Sequence, residues 1–535
     1  MLAVAAVALK RHDRFGIALI SESPRRRQPP LSLVIVRCPP PSGSPTLIRR
    51  IVRASTGDLG YVMMMASALG RANGQSARIG RLSQEGRVRL KRSARKSCFG
   101  ALAASILLGA CGGANNWSEP MLARGALDAR RASKPSSPIT HVVVIVQENR
   151  SVDNLFQFMP GAATQSYGLN LENQEVALQP ISLTANYDIR HAHFDFRAAY
   201  NKGAMNGWSK EACTGKCPSN PQYGYVPQSQ VQPYYQMAET YTFGDELFQS
   251  NEGPSFPAHQ YIVSGTSTNY NNSPWRVAED TGDNEGGCDS IPGTTARMID
   301  AAGHEGRLVF PCFARISIFT LLDDAKVSWH FYQALTGPGP WNSVDALKQI
   351  WRNKQEYSSN VVTPPSQVLT DISNGNLASV VFVTPTAAES DHSGDNKGTG
   401  PAWVASIVNA IGASAYWNTS AIIVVWDDWG GWYDHVTPTI YNSYELGMRV
   451  PLVVVSPYAK PAYVSHVQYE FGSILKFIEE TFNLGSLGTT DVRANDLSDC
   501  FNFGSHARAF KRIPAKYPAS YFLHQPLSSE PPDND

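Results

Sequence analysis

The chain has few of the features that mark membrane-spanning, nucleic-acid-binding or zinc-binding proteins. Its apolar run at residues 98–108 is too short to span a bilayer as a helix. None of its 8 cysteines belongs to a two-pair CxxC array, which argues against a structural zinc site. The first 97 residues hold 19 Lys or Arg and 4 Asp or Glu, which leaves 27 and 41 for the rest. This acidic main body argues against nonspecific nucleic-acid binding, so we expect no nucleic-acid partner.

The N-terminal region is typical of a leader rather than of a domain. Residues 1–90 are Arg-rich and lack a sustained period, so we predict that they are disordered or follow from a mis-assigned translation start. Residues 91–111 show the three parts of an export signal: basic residues, a short apolar run and small residues before Cys111. The ending Leu-Gly-Ala-Cys resembles a bacterial lipoprotein signal. An ordinary signal peptide, or a buried helix with an incidental cysteine, is the alternative.

The cysteines agree with export. We expect an exported protein, periplasmic or held at the outer membrane or cell surface by a lipid anchor at Cys111. In such an oxidising compartment, proximity in sequence predicts disulfides between Cys213 and Cys217 and between Cys288 and Cys312. Cys500 is then left over.

Four apolar runs rich in β-branched residues predict strands that are buried on both faces of a sheet. They occupy residues 139–146, 379–384, 421–426 and 451–456. Amphipathic helical patterns at residues 402–411 and 470–482 lie between or after these strands. The alternation predicts an α/β fold with a mainly parallel sheet flanked by helices.

The rest of the chain divides by composition. The stretch at residues 187–311 is rich in Gly, Asn, Pro, Tyr and Ser, and predicts long ordered loop insertions around a site. No internal repeat is evident. The predicted boundaries are a linker at 112–137, a catalytic domain at 138–525 and a tail at 526–535.

Polar side chains follow three of the predicted strands, at the edge where a parallel sheet binds its ligands. Four of them form an all-oxygen set suited to a divalent cation: Glu148, Asn149, Asp427 and Asp428. The adjacent Asp427 and Asp428 repel each other unless solvent, a basic group or a metal offsets their charges. The alternative is that these side chains hydrogen-bond loop backbone and pair with Arg150.

Ser255 is a candidate nucleophile. It follows Gly253-Pro254, and Pro257 suits the first turn of a helix. A hydroxyl at a helix start lies where backbone N–H groups favour an anion, so it can attack phosphorus beside a metal. The alternative is that Ser255 only caps the helix.

Two histidines beside Asp188 form a third candidate group. His191 and His193 are two residues apart, which places them on one side of an extended segment. Such a pair can hold a phosphate oxygen or protonate a leaving group.

Taken together, these segments resemble the bacterial phosphoesterase family, which contains phosphatidylcholine-type phospholipases C and an acid phosphatase. They run in family order from about residue 139 to about residue 485. The matching segments are HVVVIVQENRSVDNLF, DIRHAHFDFRAAYNKGAMNGW, GDELFQSNEGPSFPAHQYIVSGTS, VSWHFY with WNSVDALKQI, ESDHSGD, VVWDDWGGWYDHV, GMRVPLVVVSPYAK and YVSHVQYEFGSILKFIEETFNL.

The resemblance implies an alkaline-phosphatase-like core and one divalent metal ion, with Ca, Mg, Mn and Zn all left open. By motif match, the metal ligands are Glu148, Asn149, Asp427 and Asp428. Ser255 stands at the position of the family's nucleophile, which also touches the metal. His191 and His392 match catalytic histidines around the phosphate. His435 belongs to the shared Asp-His-Val motif, and we assign it and His193 to substrate binding.

Two positions depart from the family pattern. Pro257 is followed by Ala258 and His259, where the family often has Asn and Arg and the Asn contacts phosphate. Asn206 stands where many members have Asp. Both changes predict a substrate that differs from those of the best-known relatives.

These observations predict an exported, metal-dependent phosphoesterase. Its substrate is a phosphate ester, with phospholipids included and with monoesters and diesters both open. The aromatic residues between Tyr223 and Tyr241 supply either an apolar lip for a lipid or packed loop residues. The alternative function is a surface lipoprotein that binds a phosphorylated or glycan ligand without turnover.

Overall fold

The computed structural model describes residues 137–282, 285–334, 337–394 and 396–528, together with the backbone of four strands near the N-terminus. The chain divides into two compact units, Met1–Glu119 and Pro120–Asp535. The strands of the first unit form an antiparallel sheet in chain order, namely β1 (Val4–Arg11), β2 (Arg14–Ser21), β3 (Leu31–Arg37) and β4 (Ile51–Ala54).

These first strands were not predicted from the sequence. The predicted signal segment with Cys111, and nearly all of the predicted linker, lie outside the described residues. The boundaries assigned to the leader, the signal segment and the linker therefore stay predictions.

The second unit contains the predicted strands and helices. Its strands are β5 (His141–Gln147), β6 (Tyr167–Leu169), β7 (Glu175–Ala177), β8 (Gln179–Pro180), β9 (Tyr187–Ile189), β10 (Cys213–Gly215), β11 (Gly224–Tyr225), β12 (Thr242–Gly244), β13 (Leu247–Phe248), β14 (Arg276–Thr281), β15 (Ala296–Ile299), β16 (Glu305–Val309), β17 (Trp329–Tyr332), β18 (Val361–Val362), β19 (Val380–Val383), β20 (Ser420–Trp426), β21 (Leu452–Val455), β22 (Tyr463–Ser465) and β23 (Tyr469–Glu470). Its α-helices are α1 (Val152–Phe156), α2 (His193–Tyr200), α3 (Gln232–Thr240), α4 (Ser255–Ser264), α5 (Ile318–Asp324), α6 (Lys348–Arg352), α7 (Lys354–Asn360), α8 (Gln367–Asn374), α9 (Gly400–Gly412), α10 (Phe471–Thr481) and α11 (Ala519–Leu523).

The central sheet has the strand order β18-β17-β19-β5-β20-β21-β12-β22. β5 lies between β19 and β20 and runs parallel to both, so that Val142 is opposite Val380 and Ala421. Within this sheet β21 is antiparallel to β20 and β12, and the other pairs are parallel. The prediction of a mainly parallel α/β sheet is confirmed.

The four predicted strands correspond to β5, β19, β20 and β21, and the two predicted helices correspond to α9 and α10. Every residue of β20 is buried, as are all residues of β5 except the first. Burial on both faces explains why these strands are almost continuously apolar instead of alternating. Around the sheet, α3 packs against α9, and α4 packs against α10.

The stretch predicted as loop insertions contains regular structure. It holds α2, α3 and α4 and a three-stranded antiparallel sheet in the order β14-β15-β16. Its tyrosines at positions 223, 234, 235 and 241 are at most 1% exposed. Four of the five tyrosines of this segment are therefore packed and cannot form an apolar lip, whereas Tyr225 is half-buried.

Both predicted disulfides are confirmed within the described residues. Cys213 is bonded to Cys217 and Cys288 to Cys312, while Cys500 is buried and has no disulfide partner. In the same part of the chain, no helix combines the length and the apolar character required to cross a membrane.

Candidate active site

The ends of two neighbouring parallel strands bring four polar side chains together. Glu148 and Asn149 directly follow β5, and Asp427 and Asp428 directly follow β20. The final residues of the two strands lie opposite each other, so the two pairs lie side by side. The backbone N–H of Asn149 donates to Asp427 Oδ1 at 2.9 Å, and all four residues are fully buried. The structure thus brings together the predicted metal ligands.

Two glycines allow the chain to turn sharply after β20. Gly430 has a φ of +59°, and a Cβ there would lie 2.4 Å from the carbonyl oxygen of Asn149. Gly431 has a φ of +71° and similarly faces Ile189. Only glycine tolerates both the conformation and the close approach. The turn also directs the Gly430 N–H to Asp428 Oδ1 at 2.7 Å, which holds this carboxylate in place.

Ser255 is the first residue of α4, and its side chain faces the acids. Its hydroxyl donates to Asp428 Oδ2 at 3.1 Å, and Asn149 Nδ2 lies 3.5 Å from Ser255 Oγ. The N-cap position is occupied by Pro254 and no side chain caps this helix. Ser255 is therefore not the N-cap residue of α4, and the alternative interpretation of this serine is wrong.

The N-terminus of α4 offers less to an anion than the sequence predicted. The N–H of Phe256 donates to Asp280 Oδ1 at 2.8 Å, and Pro257 has no N–H. Two of the first three residues of the helix therefore have no N–H to donate to a phosphate oxygen. The expectation of stabilisation by these N–H groups was wrong in this respect, because a carboxylate from β14 already binds one of them.

His191 and His392 lie beside the acids. The Nδ1–H of His191 donates to the carbonyl of Ile189 at 2.7 Å, so its Nε2 accepts from Asn149 Nδ2 at 2.9 Å. The same Nε2 is 3.6 Å from Asp428 Oδ2. His392 donates from Nδ1 to the carbonyl of Ser393 at 2.8 Å, and its ring centre is 6.4 Å from that of His191. Both predicted catalytic histidines thus belong to the site.

His193 lies in a different group of side chains. It begins α2, and its ring contacts Glu305 at 2.5 Å and Glu252 at 3.2 Å. Burial alone would lower the pKa of His193, but hydrogen bonds to Glu252 and Glu305 raise it to about 9. The structure therefore separates His191 from His193, and substrate binding by His193 gains no support.

His435 also lies in a separate network. Its Nδ1 donates to Asp153 Oδ2 at 2.7 Å. The preceding residue, Asp434, accepts two hydrogen bonds from the buried Arg449, at 2.7 and 3.0 Å. This network joins the start of α1 to the loop after β20, which points to a structural role instead of the predicted substrate binding.

The structure adds one residue that the sequence analysis noted only as a departure. His259 lies four residues after Ser255 on α4, so both side chains project from one face of the helix. His259 Nε2 is 3.2 Å from Glu148 Oε1 and 3.6 Å from Asp427 Oδ2. Its ring stacks on Trp341, with ring centres 6.4 Å apart. The i, i+4 spacing from the candidate nucleophile was the signal that could have revealed it.

Asn206, another departure, lies in a network of asparagine side chains. Asn206 accepts from Asn201 Nδ2 at 2.7 Å and donates to Asn173 Oδ1 at 2.9 Å, so it ties loops together. Ala258 is fully buried in α4.

Arg150 does not balance the charges of the two adjacent acids. Burial, followed by the neighbouring charge of Asp427, raises the pKa of Asp428 to about 8. Arg150 does not offset this charge, because its guanidinium donates to the carbonyls of Asp391 and Leu183 and to Asn154 Oδ1. Of the alternative, the hydrogen bonds to loop backbone are present, at Asp427 and Asp428, but the pairing with Arg150 is not.

The side chains present fit a divalent cation. Asp427 Oδ2 and Asn149 Oδ1 are buried oxygens that accept no hydrogen bond, whereas buried oxygens in proteins normally do. Oxygen atoms held in this way are ligands that a hard divalent cation would satisfy. The donor set of Glu148, Asn149 and Asp427 is therefore suited to such an ion.

A cleft of about 490 Å³ leads to the site. Its lining includes His191 and Pro254, two basic side chains, Arg190 and Arg297, and two acidic ones, Glu279 and Asp280. The same cleft has an apolar edge, where Phe194 is 52% and Leu308 is 57% exposed.

Comparisons with known proteins point to phosphate-ester chemistry. A model of the Phosphoesterase family matches residues 139–485. A non-hemolytic phospholipase C of Burkholderia pseudomallei is 24% identical over 473 residues, covering 73% of this chain and 62% of that protein. A phospholipase C A of Mycobacterium tuberculosis is 25% identical over 478 residues, covering 76% and 84%. The chain therefore spans less than two thirds of the Burkholderia protein.

Similarity to solved structures is weak. A protein in the alkaline phosphatase superfamily from Vibrio parahaemolyticus has a TM-score of 0.32 and 9% identity, and the match covers 68% of this chain and 72% of that chain. The fold class accordingly rests on the sheet topology.

Proposed function

The chain belongs to the phosphoesterase family, and from this premise we propose that it is an exported, metal-dependent phosphoesterase with Ser255 as its nucleophile. Membership confirms the predicted class of phosphoric ester hydrolases. The observation that carries the finer proposal is the hydrogen bond from Ser255 to Asp428, among buried oxygens that suit a cation.

The residues that would hold the cation are Glu148, Asn149, Asp427 and Asp428. When bound, a divalent ion supplies Lewis-acid stabilisation of a phosphoryl group and lowers the pKa of a nearby hydroxyl. Asp428 fixes the rotation of the Ser255 hydroxyl by accepting its hydrogen, so that the lone pairs of Oγ point away from the carboxylate. Asn149 Nδ2, 3.5 Å from Oγ, adds a positive dipole beside it.

The reaction would proceed in two steps. Ser255 Oγ attacks phosphorus in line with the ester oxygen while its proton passes to Asp428, the P–O ester bond breaks, the leaving alkoxide is protonated, and the serine becomes phosphorylated. Water then attacks the phosphoserine, the bond between phosphorus and Oγ breaks, and phosphate or a phosphomonoester leaves. Neutral serine is regenerated when Oγ takes up a proton that the attacking water releases.

His191 is the better placed of the two histidines to protonate the leaving alkoxide. Its ring lines the cleft through which the ester would enter. The Ile189 carbonyl fixes Nδ1 as a donor and Nε2 accepts from Asn149, so Nε2 is the nitrogen that would have to leave Asn149 and take up a proton before giving it to the alkoxide. His392 would orient the phosphoryl oxygens from the other side.

The similar proteins named above are phospholipases C, which supports a phospholipid as the substrate. The apolar edge at Phe194 and Leu308 beside a charged cleft also suits an ester with a lipid part. Export and an anchor at Cys111 would place the enzyme at a membrane, and the two disulfides support an oxidising compartment.

The function is tested with purified protein, p-nitrophenyl phosphate and p-nitrophenyl phosphorylcholine, each with added divalent metals and with a chelator. We expect metal-dependent release of p-nitrophenol from at least one ester, and the ratio between the two separates monoesterase from diesterase activity. No release with any metal would favour the alternative of a lipoprotein that only binds its ligand.

Export is tested by fractionating cells that express the full chain and its Cys111→Ser variant. We expect the wild type in the membrane fraction and the variant released from it. Equal partitioning of both proteins would contradict the anchor.

A further inference from the structure

We propose that His259 is a further ligand of the cation, and that its nitrogen gives the site a preference for Zn²⁺ over Ca²⁺ and Mg²⁺. This inference rests on the proposed metal-dependent function. It changes the predicted all-oxygen ligand set into one that includes an imidazole.

The inference rests on the distances among three candidate ligand atoms. One atom each from Glu148, His259 and Asp427 lies within 4.8 Å of the other two. His259 Nε2 is 3.2 and 3.3 Å from the two oxygens of Glu148 and 3.6 Å from Asp427 Oδ2. Two ligands that each lie about 2.1 Å from a common metal ion are separated by about 3.0 to 3.5 Å. The distances from His259 Nε2 to these carboxylate oxygens are therefore close to those between two ligands of one metal ion.

A histidine that merely neutralises the acids would be closer to them. Charge-assisted hydrogen bonds between N–H and a carboxylate are about 2.7 to 2.9 Å long. The two other groups of comparable ligand spacing among the described residues each include one such short contact, with His435 at 2.7 Å from Asp153 and His193 at 2.5 Å from Glu305, while the second contact of His193, to Glu252, is 3.2 Å. His259 has no contact of this length with Glu148 or Asp427.

The surroundings hold the imidazole in this position. His259 is 1% exposed, and its ring stacks on Trp341 at an angle of 17°. The helix fixes it relative to Ser255, one turn before it. A rigid imidazole beside two carboxylates is a ligand set that suits zinc, whereas calcium and magnesium prefer oxygen alone.

The test measures metal affinity, not activity. Wild type, His259→Gln and Asp427→Asn are freed of metal and titrated separately with Zn²⁺ and Ca²⁺ by calorimetry and by competition with a chromophoric chelator. The control is His330→Gln, because His330 lies on β17 and contacts the Tyr332 hydroxyl at 3.2 Å. Circular dichroism of each metal-free protein checks the fold, and His259→Asn serves if the first variant fails to fold.

We expect the Kd of Zn²⁺ to rise about tenfold or more in His259→Gln, while that of Ca²⁺ changes less than about threefold. The visible spectrum of the Co²⁺-loaded protein should also change, since a nitrogen ligand is lost. An unchanged or smaller Kd for Zn²⁺ would overturn the inference and identify His259 as a competing positive charge. If Asp427→Asn then still loses the metal, the proposed function stands without this ligand; if wild type binds no metal, both fail.

Discussion

Two groups of histidine and acid side chains, each with members before and after Ser255 in the sequence, differ in burial and in how their charge is balanced. The site group consists of Glu148, His259 and Asp427; the His193 group consists of His193, Glu279 and Glu305. In the His193 group, the imidazole is within 2.5 Å of Glu305 and its pKa is raised to about 9, so it is a cation at neutral pH. In the site group, the imidazole is 3.2 Å from its nearest acid, Glu148.

Two groups of similar composition can therefore differ in whether the protein or a bound ion balances their acids. The His193 group supplies its own positive charge, because the ring of His193 contacts the carboxylate of Glu305 and that of Glu252 beside the group. In the site group, Asp427 Oδ2 is a buried oxygen that accepts no hydrogen bond, as is Asn149 Oδ1 beside the group, and the proposed cation would satisfy both. A short distance between a histidine and an acid indicates that the protein itself neutralises the acid. A longer distance among buried acids indicates room for a bound cation.

The largest expected effect is a loss of kcat on substitution of Ser255 that does not occur for another serine of the same helix. Ser255→Ala should lower kcat by about 10⁴-fold or more, because the group that attacks phosphorus is lost. The matched control is Ser264→Ala, a buried serine at the other end of α4. Hydrolysis of p-nitrophenyl phosphate is the measurement, and retained activity in Ser255→Ala would remove this residue as the nucleophile.

Much of the site could be predicted because it follows local rules. A buried strand that ends in adjacent acids and glycines, as β20 does at Asp427 and Gly430, has a clear signature in the sequence. The parallel register that brings Asn149 beside Asp427 follows from the strand type. The antiparallel direction of β21 could not be predicted, since an apolar strand buried on both faces has the same pattern in either direction.

Other features depend on contacts between distant segments. Asp280, which binds the Phe256 N–H, lies on a strand that no sequence pattern links to α4. The pattern His-x-His placed His191 and His193 together, but α2 begins at His193 and turns its ring toward Glu305. His259 could have been found from its helical spacing to Ser255.

The second prediction contrasts one acid from each group. Asp427→Asn should lower kcat by roughly 10² to 10³-fold and reduce the bound metal, because a charged ligand becomes a neutral one. Glu305→Gln is the control, since Glu305 pairs with His193 and should leave metal content unchanged. Elemental analysis of the purified proteins is the measurement. Equal metal loss in both variants would remove the distinction between the groups.

The smallest expected effect is on stability and belongs to the His193 group. The pKa of His193 is raised in the folded protein from about 6.5 to about 9, so its contribution is complete below pH 6.5 and is lost as pH rises through 9. We expect the free energy of unfolding to fall by about 2 to 3 kcal/mol over this window. Urea unfolding at pH 6 and pH 9.5 should show a smaller fall in His193→Gln. The same fall in both proteins would show that another group titrates.

Trapping of the phosphorylated protein is the direct test of Ser255 as the nucleophile. The enzyme is mixed with substrate and divalent metal, quenched in acid within the first turnovers, digested and analysed by mass spectrometry. We predict one added phosphoryl group on the peptide that contains Ser255, and none when a chelator is present. Turnover without this modification, or with the phosphoryl group on another residue, would contradict the claim that Ser255 attacks phosphorus beside the acids of β5 and β20.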